Sequence, residues 1–411
     1  MIRIGQAMGV GPNPQEMARL AALEAWRRTD HAPPFGALVF TTKNYPLESV
    51  YAGIFEALGG INVVGCHCPG LMACGLLTYD GVGVLVFAGD EGSMHVGLGR
   101  KVSEDPQRAG ADAVVGAMQG MMDTWGGQPS REESFLMVLS DATPGQSEEI
   151  LRGVNREVGT SIPVMGGSFG LYMESDASSL LLQNHSLHDA VLAIAVTTPT
   201  PTGSALRHGY VPMEQPLQAT RTQKFQLGEL DWEAAGPQYK SLVERIHTTP
   251  IARENILELG ACFPLGIPGH NNDYLLRCPI DWDQQDQLLC TAEIPPLSPV
   301  QVMMGKPMQL LQAAFQAGKQ AASVVHHYPL AAVLVFTCIT RGAILGHKPN
   351  DRNAELRAIH QGIASISPIF GCLTSAQFGS LGGGLPQVHT QAIQVGILSQ
   401  STPSSSAYLS A

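Results

Sequence analysis

The sequence is short of charge. Only 14% of its 411 residues are Asp, Glu, Lys or Arg, while 44% are apolar. Lys and Arg number 24 against 35 acidic residues, a formal net charge of −11. No segment clusters Lys and Arg as phosphate neutralisation requires, so no nucleic acid partner is expected. Long apolar runs are also missing. Gly81–Ala88, Ala190–Val196 and Leu330–Phe336 fall well short of the roughly 20 residues of a membrane helix, so no membrane span is expected. The opening stretch, MIRIGQAMGVGPNPQEM, lacks the apolar core of a signal peptide. Eight Cys in a chain with an ample apolar core favour reduced thiols and a cytoplasmic location. Neither a Walker nor a Rossmann phosphate loop is present, and no nucleophile elbow, HExxH zinc site or CxxCH haem attachment is expected.

What is present is a repeated order of elements. Phe35–Thr41 reads as a strand, Pro46–Leu58 as an amphipathic helix closed by Gly59-Gly60, and Asn62–Cys66 as a second strand. A Gly-rich bend follows, then strands at Leu76–Tyr79 and Val82–Phe87, with Asp80-Gly81 suited to a tight hairpin. The order returns at Ser134–Leu139, Gln146–Val158, Pro163–Gly170, Ser179–Leu182 and Ala190–Val196, and again from Ala332 to Leu398. A degenerate fourth copy is expected over 224–304. Helices at Asp105–Trp125 and Lys306–Val325 separate the copies, with Met308, Leu311, Phe315 and Lys319 on the expected inner face of the second. The fold class expected is α/β: two related halves, each with repeated strand-helix-strand-hairpin units forming mixed sheets covered by helices. A Pro-rich joint lies at Thr197–Pro216, and the Ser-rich tail is expected to be disordered.

The motifs in this order resemble the FIST family, sensory modules of signal-transduction proteins that also occur in an F-box protein. FGALVFTTKNY, NVVGCHCPG and PVMGGSFG look like its N-terminal domain. VFTCITRG at Val335–Gly342 followed by PIFGCLTSAQFG resembles the C-terminal signature, with Gln377 where the family has Glu. The resemblance implies a FIST N-terminal-like domain over 28–235, a FIST C-terminal-like domain over 236–396 and a tail at 397–411. It further implies a stand-alone sensory module that binds a small ligand, an amino acid or another carboxylate, and signals through a separate partner protein rather than by catalysis.

Arg341 is the first candidate for ligand contact. It follows an apolar strand, at the strand end where α/β sheets place their ligand crevices. Two roles fit it: a bidentate clamp on a carboxylate, or a structural salt bridge. Gly342, Cys338, Cys372, Gln377, Cys66 and Gly70 complete the candidate ligand-binding set, all drawn from the strand-end signatures. Cys66, Cys68 and Cys74 do not have zinc-site spacing and read as small buried thiols. Two alternatives are carried. One is a haem-dependent nitric-oxide sensor, as in a branch of FIST-like proteins, with its axial ligand among 13 His. The adjacent His326 and His327 are expected to point apart. The other is a thiol-dependent enzyme, which would require a thiol of lowered pKa.

Overall fold

A computed structural model describes residues 2–125, 131–143, 145–170, 180–213, 215–248, 250–269 and 273–400. The Ser-rich tail from residue 401 lies outside the described residues. The protein is α/β, with mixed sheets covered by helices.

The first unit runs β1 (Arg3–Gly9), α1 (Pro14–Arg27), β2 (Pro34–Thr41), α2 (Leu47–Leu58) and β3 (Asn62–His67). A hairpin of β4 (Leu71–Ala73) and β5 (Leu76–Thr78) follows, and β6 (Val82–Ala88) closes it. The second unit has the same order: β7 (Ser93–Arg100), α3 (Pro106–Trp125), β8 (Ser134–Ser140), α4 (Gln146–Val158) and β9 (Val164–Ser168). Its hairpin is β10 (Leu180–Leu182) and β11 (His185–Leu187), and β12 (Ala190–Thr197) ends it.

A third unit opens with β13 (Thr202–Arg207), inside the expected Pro-rich joint, and is then interrupted. The interruption contains β14 (Tyr210–Pro212), β15 (Leu217–Gln223), β16 (Gln226–Leu230), β17 (Glu233–Ala234), α5 (Ala235–Glu244) and α6 (Ile256–Cys262). It continues through β18 (Leu265–Pro268), β19 (Tyr274–Arg277), β20 (Pro279–Trp282), β21 (Leu288–Cys290) and β22 (Pro299–Gly305). The third unit then resumes with α7 (Pro307–Val324), β23 (Leu330–Cys338), the short α8 (Gly342–Leu345) and α9 (Pro349–Ile363). It finishes with β24 (Ile369–Thr374), the hairpin β25 (Ala376–Gly379) and β26 (Gln387–His389), and β27 (Ile393–Ser399).

Within each unit a helix crossover allows one parallel pair, β2–β3, β8–β9 and β23–β24, while the remaining pairs are antiparallel. The glycine at the middle of each returning strand lets the pair close. A Cβ on Gly65, Gly166 or Gly371 would sit 1.8, 2.1 or 1.9 Å from the carbonyl oxygen of Val39, Val138 or Val335.

The hairpins are exchanged in a ring. β4–β5 of the first unit joins the sheet of the third, β10–β11 joins that of the first, and β25–β26 joins that of the second. The register is the same at all three joins: Leu71 opposite Cys372, Leu180 opposite Cys66 and Gln377 opposite Gly167. The expected Asp80-Gly81 hairpin is therefore corrected. β5 and β6 lie in different sheets, and the tight turn is Cys74-Gly75, both at positive φ (53° and 79°).

The three six-stranded sheets turn one face to a common interior, where Phe40 lies 5.8 Å from Phe336 and 5.2 Å from Phe370 between ring centroids. Burial on both faces accounts for near-continuous apolar strands such as VGVLVFA. α1 and α2, α3 and α4, and α7 and α9 cover the three outer faces. On α7 the buried stripe is Leu310, Ala313, Ala314, Ala317, Gly318 and Ala321, while Met308 is 77% exposed, so the inner face expected for this helix is corrected. Small residues are needed there because a Cβ on Gly318 would already lie 2.9 Å from Ile359 O of α9.

The segment expected as a fourth copy keeps the order strand, helix, strand, but its strands join one nine-stranded, wholly antiparallel sheet with a core of its own. No helix among the described residues is long and apolar enough to cross a membrane.

Candidate functional site

The nine-stranded sheet and α6 close over the C-terminal end of β23, and a buried polar network lies beneath them. β23 ends at Cys338, and one 3-10 turn, Ile339–Arg341, folds back into α8. That turn directs Arg341 inward, where it is fully buried. Its Nε donates to Glu355 Oε1 (2.7 Å), Nη1 to the carbonyls of His208 (2.7 Å) and Gln391 (2.9 Å), and Nη2 to that of Leu310 (3.1 Å). Arg352, three residues before Glu355 on α9, donates its Nε to Glu355 Oε2 (2.9 Å) and its Nη groups to Ile339 O, Cys338 O and Thr337 Oγ1. Burial alone would raise the pKa of Glu355. Arg352 and Arg341 outweigh it and hold the carboxyl below the ordinary range.

Of the two roles open to Arg341, a carboxylate clamp or a structural salt bridge, these bonds are those of the salt bridge. Its guanidinium is committed to partners within the protein and has no face on solvent. Gly342 is buried beside it, and a Cβ there would meet His347 at 2.6 Å. Cys338 Sγ lies 2.9 Å from Thr340 Oγ1 and donates to Ser375 O. Gln377 donates to Thr374 Oγ1 (2.6 Å) and accepts from Ala392 N (3.3 Å), holding the start of the exchanged hairpin. Cys66 and Cys372 belong instead to the central core, with Gly70 accepting from Leu373 N at 2.8 Å.

Burial raises the thiol pKa of Cys66, Cys278 and Cys372 well above the usual value, and pushes Cys290 up to about 12 and Cys262 to about 11. This opposes a reactive thiolate at those positions. Gly166–Gly170 does spell G-x-S-x-G, but Ser168 is buried in a strand ladder opposite Ala376 rather than raised on a strand-to-helix turn. His326 and His327 do not point apart. Past the end of α7 their ring centroids are 3.7 Å from each other. No group of three or more His, Cys, Asp or Glu among the described residues is placed to hold a metal ion.

Two clefts flank the network. One, about 560 Å³, lies between the β13–β14 connection and α7, and its walls include Arg207, His208, Tyr210, Asp273 and the Gln309, Gln312 and Gln316 amides. Gly209 makes the close approach possible: it has φ of 85°, and a Cβ there would lie 2.6 Å from Gln309 O. The other, about 350 Å³, lies between α6 and the Ile339–His347 segment. Tyr210 bridges the two. It lines the first cleft and its hydroxyl donates to Ala261 O (2.9 Å) in the wall of the second, with Gln391 Oε1 3.1 Å away.

The first cleft holds a cation and an anion that do not pair. Arg207 makes one hydrogen bond, from Nη1 to Leu206 O (3.0 Å), and neither it nor Asp273 has an ion pair among the described residues. His208 is buried, and its Nδ1 accepts from Tyr210 N at 2.9 Å. This bond fixes the neutral ring's proton on Nε2, which makes no hydrogen bond among the described residues. Burial, then Arg341 and Arg207, lowers the His208 pKa to about 4. Sequence reasoning missed this set. Its only signal was the polar run Arg207-His208-Gly209-Tyr210 inside the Pro-rich joint.

The FIST N domain matches residues 37–233 and the FIST C domain residues 235–380. The chain belongs to the FIST family. FIST domains are sensory domains of signal transduction. The sheet whose strand β23 leads to Arg341 takes its edge strand β13 from the region matched by the FIST N domain. No protein of curated function matches the chain. Among solved structures, a cyanuric acid hydrolase from A. caulinodans is similar at 9% identity and a TM-score of 0.41, over 98% of this chain and all of that one. T. maritima PurL complexed with FGAR is similar at 12% identity and a TM-score of 0.25, over 97% of this chain and 72% of that one. Likeness at that level carries no argument about activity.

Proposed function

We propose that this FIST protein is a ligand-binding sensory module that takes a small zwitterion, an amino acid, in the cleft lined by Arg207 and Asp273, and signals through a separate protein. The observation that carries the reading is the unpaired cation and anion on one cleft's walls. A zwitterion satisfies both: its carboxylate receives the free N–H groups of Arg207 in a charge-assisted pair, and its ammonium faces Asp273. The Nε2–H of His208 and the three Gln amides supply further uncharged donors and acceptors for orientation. Tyr210 and His208 connect the bound ligand to the Arg341 network, and hence to the nine-stranded sheet. That sheet packs over this end of the molecule and is the element a ligand here would shift.

The test is a thermal-shift screen of amino acids followed by calorimetric titration. A ligand at 100 times its Kd adds about 2.7 kcal/mol of stability. Arg207→Ala should abolish binding while leaving the unliganded melting temperature unchanged, because Arg207 is only half-buried and holds no ion pair. Unchanged binding by that variant would refute the site, and an unresponsive screen would refute the ligand class.

A further inference from the structure

The second cleft has the opposite electrostatic character. Its body is apolar, formed by Leu257, Ala261, Ile339 and Ala343. Its charged wall is Glu258, on α6, and Glu254, in the turn that precedes that helix, and no Lys or Arg lines it. Neither carboxylate is relieved by an ion pair among the described residues. The neighbouring cation, Arg253, is held by Asp281 through bonds of 2.9 and 3.1 Å. Arg341, next in sequence to Thr340 of the facing wall, is turned away and consumed by Glu355 and three carbonyls. Leu257, between the two acids in sequence, is 43% exposed. The cleft thus combines an apolar floor, two carboxylates that make no ion pair among the described residues, and no positive side chain on its walls but His347.

We infer that this cleft is a second binding site, specific for a small organic cation: an aliphatic primary amine whose chain lies on Leu257, Ala261, Ile339 and Ala343. Its ammonium is held by Glu254 and Glu258, and desolvating the apolar chain supplies the remaining affinity. An anion of the same size meets two like charges there, and a neutral alcohol forgoes the charge-assisted bonds. The inference does not rest on the amino-acid reading, since the two clefts are lined by different residues and the probe below carries no carboxylate.

The experiment titrates the full chain calorimetrically with n-butylammonium chloride, using 1-butanol and sodium butyrate as controls. A Kd of about millimolar order suits so small a ligand. The amine should bind, and both controls should bind at least tenfold more weakly. The double variant Glu254→Gln/Glu258→Gln should lose at least tenfold in affinity, and Leu257→Lys should abolish binding by placing a cation in the cleft. All three side chains are exposed, so melting temperatures should hold. Raising the salt from about 0.05 to about 0.5 M should weaken the amine and not the alcohol. Equal binding of amine and alcohol would overturn the inference, as would undiminished binding by the Gln variant. So would a loss caused by Arg207→Ala as large as that caused by the Gln variant, since it would put the amine in the other cleft.

Discussion

Arg341 Nε and Glu355 Oε1 meet at 2.7 Å with side-chain exposures of 0% and 2%, so this ion pair is sealed inside the protein. A second guanidinium, Arg352, reaches the same carboxylate at 2.8 Å. One buried acid therefore compensates two buried cations. The excess positive charge is met by the carbonyls that end β23 and by those of His208, Gln391 and Leu310. Removing Glu355 leaves two guanidinium groups charged, desolvated and without a carboxylate, and breaking a buried pair in this way typically costs about 3–5 kcal/mol. Glu355→Gln should lower the unfolding free energy by about that much, read from urea denaturation, whereas Arg341→Ala, which leaves Glu355 paired with Arg352, should cost less. The pH sense follows from the depressed Glu355 pKa: its stabilisation is complete at neutral pH and is lost as pH falls below about 4.5, through the folded value. A loss under about 1 kcal/mol would mean that the pair is solvated.

Much of the architecture was legible in the sequence, and the part that was not has a physical reason. Strand–helix–strand order shows because each parallel pair needs an apolar strand, a crossover helix and a close-packing glycine, and these recur at Gly65, Gly166 and Gly371. The hairpin exchange does not show. A three-residue strand such as Leu71–Ala73 has the same pattern whichever sheet receives it, and Asp80-Gly81 suits a tight turn although it joins strands of different sheets. Arg341 was legible as a strand-end residue, but not as a buried one. The nine-stranded sheet that covers it comes from a segment whose element order resembles a further repeat. Glu355, its partner, sits in NDRNAELRAIH, which reads as a solvent-facing helix except for the Arg352–Glu355 spacing.

His208 and His389 give a separate pH signature at higher pH. Burial is the first cause of both shifts, lowering their pKa values to about 4 and about 3, with nearby Arg341 and Arg207 adding to the first and Arg277 to the second. In the unfolded chain both rings take up protons near pH 6.5. Below that pH, and above the folded values, the unfolded state binds more protons, so stability must fall as pH drops. The slope is at most about 1.4 kcal/mol per pH unit for each His. Chemical denaturation at intervals from about pH 7.5 to about pH 4.5 should show the decline, and His389→Gln should remove roughly half of it. A flat profile in the wild type would show that the rings are not buried in neutral form.

Thiol reactivity should divide the cysteines sharply. Cys74 is exposed at the turn of the exchanged β4–β5 hairpin, where Arg28 Nη1 lies 3.7 Å from its sulfur. Cys66, Cys68, Cys278, Cys290, Cys338 and Cys372 are buried. With a chromogenic disulfide reagent, Cys74 should label first and Cys262, which is partly buried, more slowly. The six buried thiols should label only at the rate of unfolding. Cys74→Ser should abolish the fast phase. Native-state labelling of Cys338 or Cys372 as fast as Cys74 would revive the thiol-dependent alternative.

The ring of exchanged hairpins makes a stronger demand on cooperativity. Met72, Leu181 and Phe378 occupy equivalent register positions on β4, β10 and β25, and each is essentially fully buried. Each also packs into a sheet whose strands outside the hairpin itself come from another unit. Truncation to Ala should cost about 2–5 kcal/mol at any of the three, the usual range for a large core side chain. Loosening one hairpin removes an edge from another unit's sheet, so no unit can unfold while leaving its neighbours intact. The three Ala variants should therefore lower the midpoint of one shared unfolding transition, followed in parallel by circular dichroism and by labelling of Cys66 and Cys372. The nine-stranded sheet, whose core centres on Leu227, Tyr239 and Val302, lies outside the ring. Leu227→Ala should instead split the transition, with the sheet's own Cys290 labelling before Cys66 and Cys372 become accessible.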